Sequence, residues 1–235
     1  MADYTLYYWP VPFRGQFIRA ILAHAGKTWN EPDDVGELTG ADPDKQPVPF
    51  MGPPVLIEKA TGFKLSEMPA IAYYLGETLG LLPSDAQSRA MTIKVVCDAN
   101  DVIDDITNDG GREMWTAKTW KDYQPRLKRW MSIFEVVGQQ HHLKADRGFL
   151  LGTDDAGIAD IVTATLWGTM RDRFPAIGDT LRDTAPLVAS LIDRMMATRP
   201  LEKLLQDSNA KYGDVWCGGE IEKSLRAVVK EDAHA

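Results

Sequence analysis

A chain of 235 residues, 44% hydrophobic and 26% charged, is long enough for one large or two small domains with real cores. Its net charge of −8 argues against a nucleic-acid backbone or an anionic membrane surface as partner, while leaving room for a local basic pocket for a small anion. Two cysteines, Cys97 and Cys217, make neither a disulfide framework nor a CxxC pair, which reads as a reducing, cytoplasmic compartment. Met1-Ala2-Asp3 runs straight into an apolar segment, so no signal peptide is expected, and no apolar run nears the ~20 residues of a membrane span.

In chain order, Tyr4-Thr5-Leu6-Tyr7-Tyr8-Trp9 has the aromatic and β-branched content of a strand, ended by Pro10-Val11-Pro12-Phe13. Apolar residues at 17, 18, 21, 22 and 25 predict a helix from Gln16 to Ala25, stopped by Gly26. Thr28 to Glu31 reads as a short second strand. The stretch 32–49, with four prolines and two glycines, reads as a loop carrying one short helix. Val55-Leu56-Ile57 follows two prolines, so this strand must start at a turn; X-Pro bonds are where cis peptides occur, and a cis bond is expected between Pro53 and Pro54. A polar tip from Glu58 to Gly62 returns a strand to Leu65. Ser66-Glu67-Met68-Pro69 then opens a helix with proline in its first turn, where the missing N–H costs little.

Gly80 to Asp85 is the best domain boundary. Beyond it the apolar spacing is helical: a long helix from about 91 to 106 stopped by Gly110-Gly111, one from Trp120 to Val137 interrupted or started near Pro125, an all-round apolar one from Gly157 to Trp167, an amphipathic one from Pro186 to Thr198, and a last short one from Arg199 to about Leu205. The expected organisation is a domain at 1–82, a linker at 83–87, an all-helical domain at 88–210 and a tail at 211–235, either a helix laid over the domain surface or irregular.

The order βαβ, irregular segment, ββα, then helices resembles the cytosolic glutathione transferases: an α/β, thioredoxin-like N-terminal domain followed by an all-α domain. Four stretches carry the resemblance. Tyr4 to Val11 followed by Arg14-Gly15 is similar to the start of the tyrosine-type classes, pi and sigma especially, with Pro12-Phe13 a two-residue insertion, and suggests a divergent, bacterial-like member. Pro54 takes the position of the family's cis-proline, and Ala70-Ile71-Ala72-Tyr73-Tyr74-Leu75 resembles its A-I-x-x-Y-L run. Gly157-Ile158-Ala159-Asp160 resembles a capping box with glycine for Ser or Thr, and Ala197-Thr198-Arg199-Pro200 a late R-P turn.

The resemblance implies glutathione as co-substrate and no metal; His141-His142 lacks metal-ligand spacing to Cys or acid neighbours. It implies Tyr8 as the hydroxyl that donates to the glutathione sulfur and favours the thiolate. Tyr7 points to the opposite face of the strand, so only one of the two can serve. Glutathione contacts are implied for Tyr8, Arg14, Pro53, Pro54, Glu67 and Met68, with the helix N-terminus after Glu67 for a carboxylate. Lys45 has the spacing of a carboxylate-binding lysine, although a solvated loop residue is the favoured reading, because most lysines are simply exposed. Val11, Phe13, Met114 and Trp115 are candidate walls for a hydrophobic electrophile, each also at home in ordinary packing.

Three residues depart from the pattern. Pro53 has no N–H to pair with the ligand backbone, a loss of about 0.5–1.5 kcal/mol. Met68 replaces a serine, and Gln16 replaces an arginine. The run Asp98, Asp101, Asp104, Asp105 reads as a solvated helix face, although in family dimers an acid of this helix reaches the partner's glutathione. Two readings therefore stand: an enzyme conjugating glutathione to hydrophobic electrophiles as a homodimer, or a non-catalytic binding protein with a weakened site. A thiol oxidoreductase fails for want of a cysteine in the first domain.

Overall fold

The computed structural model describes residues 2–232. Its first domain holds β1 (Tyr4–Tyr7), α1 (Phe13–His24), β2 (Trp29–Asn30), a short α2 (Val35–Gly40), β3 (Val55–Glu58), β4 (Lys64–Ser66) and α3 (Met68–Thr78). The sheet order is β2-β1-β3-β4, with β1 and β2 parallel and β3 antiparallel to both β1 and β4. This is the expected α/β thioredoxin-like arrangement, and the Pro53–Pro54 peptide is cis.

Strand β1 ends at Tyr7, two residues short of the composition-based reading. Its last partner is Val55, and Pro54 beyond has no N–H with which to continue the ladder. Tyr4 faces Glu58 and Tyr7 faces Val55; one further step in that register sets Tyr8 across from Pro54. Helix α1 starts at Phe13, earlier than its apolar spacing indicates, and its buried stripe of Phe17, Ile18, Ile21 and Leu22 packs on α3 and on the second domain.

The regular elements of the second domain are helices among the described residues: α4 (Ala86–Ile106), a short α5 (Asn108–Gly111), α6 (Ala117–Gln140), α7 (Ile158–Arg173), α8 (Pro175–Thr184), α9 (Pro186–Met196), α10 (Arg199–Tyr212) and α11 (Gly219–Asp232). Asp85 caps α4 by accepting from the Ser88 amide at 2.8 Å, worth about 1 kcal/mol. Helix α6 runs unbroken through Pro125. The carbonyl that loses its partner there belongs to Lys121, on the exposed face, where water can take its place. Helix α8 was not foreseen, and α10 runs on to Tyr212 rather than ending near Leu205.

Helix α7 is the buried axle, in contact with α1, α4, α8 and α9. Trp167 on it is fully buried and meets Phe134 edge-to-face at 5.7 Å; truncating such a ring costs about 3–5 kcal/mol. At its start, Asp160 accepts from the amides of Leu150 at 2.7 Å and Gly157 at 2.9 Å. The glycine that breaks the capping pattern has a cause: a Cβ on Gly157 would lie 2.9 Å from the Leu81 carbonyl. That carbonyl, just after α3, accepts the Ile158 amide at 3.1 Å and so satisfies one of the first-turn amides of α7 from outside the helix.

Candidate active site

Tyr8 is 5% exposed, just past the end of β1. Its phenolic oxygen accepts the Arg14 amide at 2.9 Å. A phenol has one hydrogen to donate, and among the described residues Tyr8 gives it to none, so the hydroxyl keeps its donor free. Burial pushes Tyr8 up to about 12 against the pull of Arg14 and Arg19, so at neutral pH it is a neutral O–H donor. The Arg19 guanidinium lies 5.7 Å from the centre of its ring. Gly15 makes the close approach possible: a Cβ there would fall 2.3 Å from Tyr8 Cδ1. The glycine after Arg14 is thus a steric requirement of the tyrosine's seat. Tyr7 lies half-buried at the last rung of β1, raised by burial and by the Asp34 charge.

Arg14 reaches the second domain: its Nε donates to Asn100 Oδ1 at 3.2 Å and its guanidinium pairs with Asp104. Its guanidinium also stands 4.8 Å from the Phe13 ring centre. The acidic run on α4 is therefore not a uniformly solvated face. Asp98 pairs with Lys94, Asp104 with Arg14, and Asp105 takes Arg126 at 2.5 Å and the Trp130 indole at 2.7 Å. Asp101 alone of the four has no ion pair among the described residues; burial and the charges of Asp98, Asp104 and Asp105 hold its carboxyl above the usual range.

Pro53 and Pro54 lie at the head of β3, with Pro54 buried. Glu67 is exposed and takes a positive φ of 75° at the entry to α3, whose N-terminus has no side-chain cap. Met68 is 1% exposed, so its side chain belongs to the core and only its backbone can face a ligand. Lys45 is exposed and bonded to Asp42 at 2.6 Å. Gln16 is buried and faces Arg19, its oxygen 3.4 Å from that guanidinium.

The four candidate pocket walls share a feature the sequence did not suggest: the C-terminal segment touches every one. The Phe13 amide donates to the Trp216 carbonyl at 3.1 Å. A Cβ on Gly218 would meet Val11 at 3.6 Å. Ser224 Oγ lies 3.8 Å from Met114 Sδ and accepts the Trp115 amide at 3.1 Å. Trp115 is buried further in, edge-on to Trp120 and tilted on Tyr123. So α11 and the turn before it lie against all four residues.

Sequence reasoning also missed Arg19 and Glu31. Arg19, 2% exposed, meets Glu31 through two bonds at 2.7 and 2.9 Å and holds the carbonyls of Val11 and Pro12 at 3.0 and 3.2 Å. Burial would raise Glu31, but the Arg19 hydrogen bonds and charge outweigh it and the carboxyl sits below its usual value. An arginine among the apolar positions of a buried helix was the available signal. Cys217, half-buried beside Trp216, is pushed up to about 12 by burial and the Glu222 charge, which makes it an inert thiol.

Residues 91–228 match the family profile described as "Glutathione S-transferase, C-terminal domain". Glutathione S-transferase P of Bos taurus is 26% identical over 215 residues, spanning 87% of this chain and 92% of that protein. Among solved structures, NaGST-2 is similar at a TM-score of 0.70 and 22% identity, covering 88% of this chain and 97% of its own. Monomeric Na-GST-3, a glutathione S-transferase of the hookworm Necator americanus, is similar at 0.69 and 18%, covering 87% and 97%. With a family profile matched over more than half its length, the chain belongs to the glutathione S-transferase family.

Proposed function

We propose that this protein is a tyrosine-type glutathione transferase that joins the glutathione thiolate to hydrophobic electrophiles, a detoxifying reaction carried out in the cytoplasm by a homodimer. The observation that carries the reading is Tyr8: a buried neutral hydroxyl just past the end of β1, whose oxygen is held by the Arg14 amide and whose hydrogen is given to no group among the described residues. A donor aimed at sulfur favours the thiolate, the nucleophilic form. The thiol proton leaves to solvent, the sulfur forms a bond to the electrophilic carbon, and the leaving group departs with its electron pair. Arg14, Pro53, Pro54, Glu67 and the first amides of α3 are the residues offered to the tripeptide, with Lys45 free to exchange Asp42 for a carboxylate.

In the homodimer, the first domain of one subunit docks on the helical domain of the other. The 91% exposed Met51, next to the cis turn, supports this assembly. Asp101, the acid of α4 left without an ion pair, is the candidate to reach the partner's glutathione ammonium.

A second reading, a binding protein without catalysis, has its own support. Pro53 lacks the N–H that would pair with the ligand backbone, and Val11, Phe13, Met114 and Trp115 lie against the C-terminal segment. Calorimetry with glutathione, followed by a conjugation assay with an aromatic chloride, separates the two. Binding with turnover supports the transferase; binding without turnover supports the binding protein; no binding contradicts both.

A further inference from the structure

The Pro12-Phe13 insertion is held from the far end of the chain. Phe13 has a φ of 30°, a strained conformation for a non-glycine residue that persists only where its surroundings fix it. Trp216 supplies that fixing. Its carbonyl accepts the Phe13 amide at 3.1 Å, and the two rings meet edge-to-face at 5.1 Å.

Trp216 is itself immobilised. It is 1% exposed and meets Phe174 edge-to-face at 5.5 Å. One carboxylate oxygen of Glu222 accepts the amides of Trp216, Cys217 and Gly218 at 3.0, 2.9 and 2.6 Å. The other accepts Arg226 at 2.8 Å, and Arg226 in turn bonds the carbonyls of Asp214 and Arg173. The turn before α11 is thus a rigid anchor built on the second domain.

The amide that meets the Tyr8 oxygen belongs to the peptide plane joining Phe13 to Arg14. Whatever sets Phe13 sets the direction of that N–H, and so the direction in which the Tyr8 hydrogen is left to point. We propose that Trp216 is a positioning residue for thiol activation, acting through Phe13 and the Arg14 amide on the Tyr8 hydroxyl. This rests on the reading of Tyr8 as the thiol donor. Trp216 need touch neither glutathione nor electrophile.

The test uses the full chain with glutathione bound, titrated by thiolate absorbance, in wild type, Trp216→Ala, Trp216→Phe and Tyr8→Phe. Trp216→Ala keeps the carbonyl but removes the ring that packs on Phe13 and on Phe174, loosening both Phe13 and the turn that presents that carbonyl, so the bound thiol's titration should move upward in pH, as in Tyr8→Phe. Conjugation near neutral pH should fall about three- to tenfold through kcat, with the KM for glutathione little changed. Trp216→Phe keeps a ring edge for Phe13 and should restore most of the wild-type curve. A Trp216→Ala curve equal to wild type, beside a shifted Tyr8→Phe curve, overturns the proposal and leaves the Tyr8 reading intact. If Tyr8→Phe also titrates as wild type, the Tyr8 reading falls and the proposal with it. Should Trp216→Ala fail to fold, Glu222→Ala releases the same turn while keeping the ring; an unshifted curve there overturns the proposal equally.

Discussion

The Arg14 amide and the Tyr8 oxygen, 2.9 Å apart, divide the phenol's hydrogen-bonding capacity in two: a lone pair is spent inside the protein, and the hydrogen is kept for a ligand. The site is therefore built from backbone as much as from side chains. Removing the Arg14 side chain would leave this bond in place, while disturbing the loop would not.

Gly15→Ala tests how tightly the tyrosine is seated. The added Cβ would fall 2.3 Å from the Tyr8 ring, so ring or helix must shift. Overpacking of this kind costs about 1–3 kcal/mol, which for a chain of this size lowers Tm by roughly 2–4 °C per kcal/mol. Conjugation should suffer beyond what the lost stability explains, measured on protein that calorimetry shows to be folded. Wild-type rates in a folded Gly15→Ala variant would contradict this view of the seat.

Arg19→Ala tests the buried pair behind the loop. It would leave half-buried Glu31, among the described residues, with only the Trp29 indole at 2.8 Å and Lys211 at 3.6 Å, and release the Val11 and Pro12 carbonyls. Breaking one side of a buried pair costs about 3–5 kcal/mol when nothing else compensates the remaining charge, and the Lys211 contact sets that as the upper bound here. Arg19→Ala with Glu31→Gln should recover part of that loss, because no half-buried charge is then left with Lys211 as its one ion-pair partner. Denaturant unfolding of both single variants and the double gives the coupling; simple additivity would contradict it.

How much of this was readable beforehand differs from residue to residue. The cis bond at Pro54, the strand after it and the helix opened by Ser66-Glu67 were legible because proline, β-branched residues and helix starts act locally. Arg19 and Asp104 were not, because an ion pair depends on which segments the fold brings together. Helix α11 was ambiguous: its sequence is largely charged, and Trp216, which fixes the turn before it, finds its ring partners Phe13 and Phe174 on elements remote in sequence. Gly157 looked like a weakened cap, and only the Leu81 carbonyl shows why a side chain is excluded there.

Asp160 makes stability depend on pH. Burial pushes its carboxyl up from 3.8 to about 6, against the pull of the two amides it accepts. The folded value exceeds the unfolded one, so the native state holds the proton more tightly. That contribution is fully present below about pH 4 and is lost as pH rises through about 6, with roughly 3 kcal/mol as its upper bound. Asp160→Asn carries no charge and lacks this window, though its NH2 must face one of the two amides. Urea unfolding at pH 4 and pH 7 should show wild type losing stability relative to Asp160→Asn; a constant difference would contradict the shift.

Assembly is checked by light scattering at micromolar concentration. The proposed dimer predicts twice the chain mass, and Asp101→Asn should leave that mass unchanged while weakening glutathione binding. A monomer would exclude Asp101 from any role across an interface.

The central claim is that Tyr8 donates to the glutathione sulfur, and the titration of bound glutathione in wild type and Tyr8→Phe tests it most directly. The substitution removes one hydroxyl and little volume, so glutathione binding should barely change. The bound thiol's pKa should rise, each unit being about 1.36 kcal/mol, and conjugation near neutral pH should fall roughly tenfold or more. Tyr7→Phe, at the last rung of β1, should titrate as wild type. Superimposable thiolate curves for wild type and Tyr8→Phe would contradict the account.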